Sequence, residues 1–187
     1  MMTRTVLFSI ALFSSLPAGA QQSLTERGRL ELALSGIEHV PGKAELLRLS
    51  PRAPELLREI VERPSRKALA RNRALSVLRL FPSAATARTL RAVVEANRAA
   101  KNGIARLDLE QALVSYASVA GPGSVELVRP FLAHASLDVR VTAVSALVAT
   151  RSPRALGLLE GRRRDEPSAT VRARIDRELA GLRATGR

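Results

Sequence analysis

A helical pattern that recurs along the chain is the feature that most constrains its fold. The same phase of this pattern falls, at intervals of 38, 31 and 32 residues, on Ala74, Ala112, Ala143 and Ile175. Around these positions three arginines and three leucines also keep a common phase: Arg71, Arg140 and Arg172, and Leu78, Leu147 and Leu179. Each such helix is followed by a turn and a second helix with a Leu/Val stripe. One helix pair cannot bury its apolar stripe alone, so we expect the units to stack and share a core.

The composition also favours helices over strands. The chain holds four Phe, one Tyr and no Trp, whereas strand-rich folds draw on aromatic and β-branched residues. Ala, Leu, Arg and Glu, which are good helix formers, are abundant instead. Turn signals such as Pro82-Ser83 and Gly121-Pro122-Gly123 separate the helical segments by short loops. We therefore predict an all-α fold.

The clearest copy of the repeat is Leu137–Leu147, which reads Leu-Asp-Val-Arg-Val-Thr-Ala-Val-Ser-Ala-Leu. Its Asp-x-Arg opening and Ala-Leu core resemble the first helix of the HEAT-type helical repeat family. This resemblance, which extends over about residues 66–182, implies a short right-handed α-solenoid of antiparallel helix pairs. It also implies that Asp138 and Arg140 help to bond neighbouring repeats. The alternative is an irregular helical bundle with coincidental spacing.

These patterns divide the chain into four segments. Residues 1–20 are predicted to be a cleavable signal peptide, and residues 21–64 hold N-terminal helices, interpreted as a degenerate or capping repeat. Residues 65–183 form the HEAT-like repeat domain, and residues 184–187 are predicted to be a disordered tail.

The signal peptide has its three regions in order. Arg4 supplies the positive charge, an apolar core runs from Val6 to Leu16, and Pro17 precedes the small residues Ala18-Gly19-Ala20. A membrane span needs about 20 apolar residues, so this core is too short for a permanent anchor. We expect a signal peptidase to read Ala18 and Ala20 and to cleave after Ala20.

The remaining chain is expected to be periplasmic or secreted. It contains no cysteine, so it has neither disulfides nor a thiolate metal site, and a lipid-modified N-terminal Cys is excluded. Charges interrupt every later apolar run, so no transmembrane helix is expected in the mature protein. The chain carries 30 Lys+Arg against 17 Asp+Glu, and only Arg4 leaves with the signal, which gives a mature net charge of +12.

A search for catalytic chemistry finds no constellation. His39 and His134 are far apart and have no metal-ligand spacing, so both are interpreted as solvated or capping residues. No nucleophile motif or phosphate loop is present, and Asp165-Glu166 beside Arg162-Arg163-Arg164 favours a local charge pair over an acid/base pair. We therefore predict no catalytic, cofactor or metal site.

Arginines are the remaining candidates for an interaction surface, because an arginine-rich face can attract phosphates or an acidic partner. A solvated basic face, or a GC-rich genome, would give the same bias. Aromatics for base stacking and a recognisable reading helix are lacking, and export also argues against a nucleic-acid partner. The candidate surface comprises Arg71, Arg73, Arg140, Arg162, Arg163, Arg164 and Arg172.

Three functions follow from these observations. The leading expectation is an exported, non-catalytic helical-repeat scaffold that mediates protein–protein interaction in the cell envelope, since solenoids offer an extended binding surface. An alternative is a basic surface that binds an anionic polymer or lipid headgroups, which predicts strong salt dependence. A second alternative is an enzyme with an unrecognised site.

Overall fold

The computed structural model describes residues 24–36, 39–63 and 67–184, and every regular element in these ranges is a helix. The prediction of an all-α fold is therefore confirmed for this part of the chain. The signal peptide, with Ala18 and Ala20, lies outside the described residues, as do residues 185–187 of the predicted tail. The α-helices are α1 Glu26–Ser35, α2 Lys43–Leu49, α3 Ala53–Glu62, α4 Ala68–Val77, α5 Ala84–Ala96, α6 Gly103–Ala120, α7 Val125–Val128, α8 Leu137–Ala149, α9 Arg154–Asp165 and α10 Ala169–Ala184.

Polar caps and glycines set several of these helix ends. Thr25 caps α1, and its hydroxyl accepts a hydrogen bond from the backbone N–H of Gly28 at 3.1 Å. Ser83 caps α5 in the same way, which satisfies an amide that the first helical turn leaves unpaired. Gly121 ends α6 with φ +59°, a conformation that favours glycine over residues with a Cβ.

The residues aligned by the repeat occupy equivalent places in the core. Ala74, Ala112, Ala143 and Ile175 are all fully buried. The leucines four residues further on, Leu78, Leu147 and Leu179, are buried as well, and Tyr116 takes this place in α6. Small residues at the first position let helices approach closely, while the larger residues fill the space between them. The spacing read from the sequence thus marks positions of common burial.

Alternate helices form a continuous row of contacts. Helix α1 packs against α4, α4 against α6, α6 against α8, and α8 against α10. The intervening helices α3, α5 and α9 pack beside this row, and the buried residues of all these elements belong to one cluster. The described N-terminal helices therefore share the core of the repeat region. Among the described helices, none has the length and apolar character to cross a bilayer.

Candidate functional site

The seven candidate arginines do not gather on one surface. Arg71 on α4 forms an ion pair with Asp108 on α6, whose side chain is 3 % exposed. The Nε of Arg71 also donates to the backbone oxygen of Val61 at 3.1 Å. Burial lowers the pKa of Arg71. This arginine links α3, α4 and α6, and its charge is held by the fold.

Three further candidates, Arg140, Arg162 and Arg172, converge on Glu166, whose side chain has no exposed surface. Arg140 on α8 donates to Oε1 at 3.2 Å, and Arg162 on α9 donates to Oε2 at 3.0 Å. The backbone N–H of Ser168 also donates to Oε1. Arg172 on α10 donates to the backbone oxygen of Glu166 at 2.6 Å. Glu166 therefore joins α8, α9 and α10, and we call this set the Glu166 hub.

The electrostatics of the hub favour the ionised carboxylate. Burial on its own would raise the pKa of Glu166. Hydrogen bonds from Arg162, the Ser168 backbone and Arg140, with the charge of Arg140, outweigh that effect and hold the pKa below its ordinary value. The Arg162–Glu166 pair confirms the local charge pair that the run 162–166 predicts.

The common phase of Arg140 and Arg172 has a structural cause. Arg140 Nη1 donates to the backbone oxygens of His134 and Ala135, at 2.9 and 3.3 Å. Arg172 Nη1 donates to the oxygens of Glu166 and Pro167, at 2.6 and 2.9 Å. Both arginines reach the carbonyls six and five residues before themselves. Each one fastens the turn that precedes its helix by donating to two of its carbonyl oxygens.

The remaining candidates are Arg73, which is half-buried, and the exposed pair Arg163 and Arg164. Arg73 donates to the backbone oxygen of His39 at 3.0 Å, so it also serves an intramolecular contact. Arg163 on α9 is half exposed and pairs with Asp176 on α10. Arg164 is exposed, and within the described ranges its side chain makes no hydrogen bond or ion pair. Of the seven, Arg163 and Arg164 are the exposed ones.

The two residues singled out by the HEAT resemblance do contact neighbouring helices. Asp138 at the start of α8 forms an ion pair with Arg106 on α6 at 2.9 Å, and Arg140 binds Glu166 ahead of α10. With the Arg71–Asp108 pair, these contacts form a series of ion pairs from α4 through α6 and α8 to Glu166, in the turn between α9 and α10.

The histidines make local contacts. His39 Nε2 lies 2.7 Å from a carboxylate oxygen of Glu45, and His134 Nδ1 accepts from the backbone N–H of Ser136 at 3.0 Å. In the described part of the chain, no three side chains of the His, Cys, Asp and Glu types are grouped as a metal site would need.

Sequence reasoning missed a set of exposed aliphatic side chains, which we call the aliphatic edge. Its members lie at the N-terminal ends of α4, α6 and α8: Leu69, Ile104, Leu107 and Leu137, with exposures of 43, 58, 45 and 39 %. The Arg106–Asp138 ion pair, at 2.9 Å, joins the N-terminal parts of α6 and α8 that carry Leu107 and Leu137. Leu69 and Leu107 both lie five residues before an aligned alanine, Ala74 or Ala112. This shared phase is the sequence signal from which the aliphatic edge could have been predicted.

Comparison with known proteins gives no relative. No protein-family model, curated protein or solved structure matches the chain. The class that the fold defines is an all-helical protein with contacts between alternate helices.

Proposed function

We propose that the chain is an exported, non-catalytic helical-repeat scaffold that binds a protein partner through the aliphatic edge. The observation that carries this proposal is the exposure of four large aliphatic side chains at the N-terminal ends of α4, α6 and α8, which pack against one another in that order. Apolar surface that is exposed along neighbouring elements is typical of protein interaction sites.

The order of contacts along the helices supports a solenoid. Arg71–Asp108 is followed by Ser76–Ser115, where the Ser115 hydroxyl lies 3.5 Å from the Ser76 oxygen, so both contacts advance together along α4 and α6. Two other contacts, Glu160–Arg183 and Arg163–Asp176, advance in opposite directions along α9 and α10. Parallel first helices and an antiparallel pair are what a HEAT-like solenoid requires, and the right-handed sense stays a prediction.

The charges beside the aliphatic edge indicate the chemistry of the partner. Lys101 lies three residues before Ile104 and is exposed, and Arg98 lies over the ring of Phe131 at 5.8 Å. Asp138 and Glu95, the carboxylates nearby, are each bound by an arginine. We expect a partner segment with apolar side chains for the edge and acidic groups for these cations.

Export is part of the proposal. The n, h and c regions of residues 1–20 and the absence of cysteine support delivery across a membrane without disulfide formation. The partner is therefore sought in the periplasm or outside the cell.

Capture from a native envelope extract tests this proposal. The bait is residues 21–187, compared with the double variant Ile104→Asn/Leu107→Asn and the control Leu32→Asn/Val40→Asn, which changes exposed aliphatics elsewhere. We expect one stoichiometric protein to be retained by the wild type and the control and lost by the edge variant. A photo-cross-linking residue at position 107 should join that protein, and one at position 32 should not. Equal retention by the edge variant, or no retained protein, overturns the proposal.

A further inference from the structure

A second surface carries several cations that form no ion pair in the described part of the chain. We call it the basic corner, and its members are exposed cations on α2, the start of α3, the turn after α4 and the start of α5: Lys43, Arg48, Arg52, Arg79 and Arg88. Three sets of contacts bring these segments together. Lys43 Nζ lies 5.6 Å from the centre of the Phe81 ring. The 3₁₀ turn Leu78–Leu80 contacts α3, and α3 contacts both α2 and α5.

No carboxylate in the described part of the chain forms an ion pair with a cation of this corner; Glu26 and Glu62, which lie beside its segments, bind the hydroxyls of Ser50 and Thr89. Of the acidic residues in these segments, Glu45 faces His39 at 2.7 Å and Glu55 lies 3.5 Å from Arg58. In the described part of the chain, the side chains of the corner's four arginines make no hydrogen bond or ion pair. The five cations of these adjoining segments thus have no carboxylate partner, and their combined field attracts anions.

Helix α2 adds apolar surface to the charge. Leu46 is fully buried and anchors α2 on the core, while its neighbour Leu47 is 37 % exposed. Lys43 lies one turn before Leu47, and Arg48 follows it, so the outward face of α2 is both apolar and cationic. That combination is typical of elements that lie in a membrane interface.

We propose that the basic corner docks the protein on an anionic phospholipid bilayer. Four of its five cations are arginines, whose planar guanidinium groups bind phosphate through two parallel hydrogen bonds. A bilayer presents many phosphates in one plane, so it can contact cations from four separate segments at once. Leu47 enters the headgroup region beside Lys43 and Arg48. This inference goes beyond protein scaffolding and does not depend on it.

Vesicle flotation tests the proposal with residues 21–187 and phosphatidylcholine vesicles prepared with and without phosphatidylglycerol. The corner variant is Arg48→Gln/Arg79→Gln, and the matched control is Arg164→Gln/Arg177→Gln, which removes two exposed arginines elsewhere and gives the same net charge. Each cation near an anionic surface is worth about fivefold in partitioning, so the corner variant should bind roughly 25-fold more weakly. The control should bind within about twofold of the wild type. Added salt should release both the wild type and the control from the vesicles. Circular dichroism and the urea midpoint check that the variants are folded.

Several outcomes overturn the assignment. Equal binding with and without phosphatidylglycerol removes the anionic lipid, and equal loss in the corner and control variants reduces the effect to net charge. Polyglutamate that binds the wild type as tightly as the vesicles do, with the same loss in the corner variant, assigns the surface to an acidic protein. Leu47→Asn should weaken vesicle binding and leave polyglutamate binding unchanged. Because Ile104→Asn/Leu107→Asn leaves the corner intact, its vesicle binding should equal the wild type whether or not a protein partner exists.

Discussion

Replacing Glu166 with Gln removes one charge at the centre of the Glu166 hub and almost no volume. In the native protein, Oε1 accepts from Arg140 and from the Ser168 backbone, and Oε2 accepts from Arg162. Glutamine keeps one acceptor oxygen and turns an NH₂ group, which only donates, toward a guanidinium. At least one arginine then loses its partner, and α8, α9 and α10 lose part of their connection.

The size of the effect follows from the burial. Removing one partner of a buried ion pair costs about 3–5 kcal/mol. The side chains of Arg140 and Arg162 are 14 and 19 % exposed, so each can partly recover contact with water. We therefore expect Glu166→Gln to lower the free energy of unfolding by about 3 kcal/mol, the lower end of that range. For a chain of this size, Tm should fall by roughly 6–12 °C.

Urea denaturation followed by circular dichroism measures this loss. The matched control is Glu160→Gln, which makes the same chemical change where the ion pair with Arg183 is exposed on both sides. Such a pair contributes about 1 kcal/mol or less. If Glu166→Gln lowers the free energy of unfolding no more than Glu160→Gln does, the hub does not stabilise the fold.

The pH dependence gives an independent check. The pKa of Glu166 in the folded protein lies below its ordinary value of 4.5. The carboxylate therefore contributes its full stability above pH 4.5, and this contribution is lost as the pH falls through the folded-state pKa. The difference in unfolding free energy between the wild type and Glu166→Gln should shrink on acidification. A difference that grows instead contradicts the assigned direction.

Three further predictions concern the core, the ion pairs and export. Asp108→Val should destabilise the protein by about 3 kcal/mol because it strands Arg71, whereas adding Arg71→Leu should restore most of the loss in a double-mutant cycle. Leu147→Ala should cost roughly 2–5 kcal/mol in urea denaturation, and Leu137→Ala, at an exposed site, less than about 1 kcal/mol; equal losses would contradict the assigned stripe. The mass of the protein recovered from the envelope should correspond to a chain that begins directly after Ala20, and an uncut N-terminus would contradict the signal peptide.

Much of the fold could be predicted from the sequence, since helical periodicity reports burial directly. The alignment of Ala74 with Ala143 and Ile175 identifies residues that are all fully buried, and Leu147 lies in the core as its stripe predicts. The alignment could not show that Asp108 is buried, at the position that Val139 and Val171 occupy in later units. A charge is tolerated there because Arg71 from the preceding helix reaches it, and a contact of that range leaves no local pattern.

Which of the candidate arginines face solvent could not be predicted from the sequence, because a long side chain can turn toward the protein or away from it. Helical phase fixes where the Cα of Arg140 lies. It does not show that the guanidinium folds back onto the carbonyl of His134 or crosses to Glu166, 26 residues along the chain. Local runs were read more reliably: the pairing of Arg162 with Glu166 spans one helical turn and was visible in the sequence.

The contrast between the two groups of arginines indicates where binding should be sought in such repeats. Arg140 and Arg172 share both the repeat phase and the contact, since each donates to two carbonyls in the turn before its own helix, so their shared phase reflects a shared structural role. A charge that is absent from the neighbouring units and also has no partner in the described part of the chain, unlike Asp108 with Arg71, has no such role to explain it. Arg79 is of this kind, since the residues five places after the other aligned positions are Ala117, Val148 and Ala180. The Arg79 guanidinium is therefore available to bind an external anion, as the proposed docking of the basic corner on lipid phosphates requires.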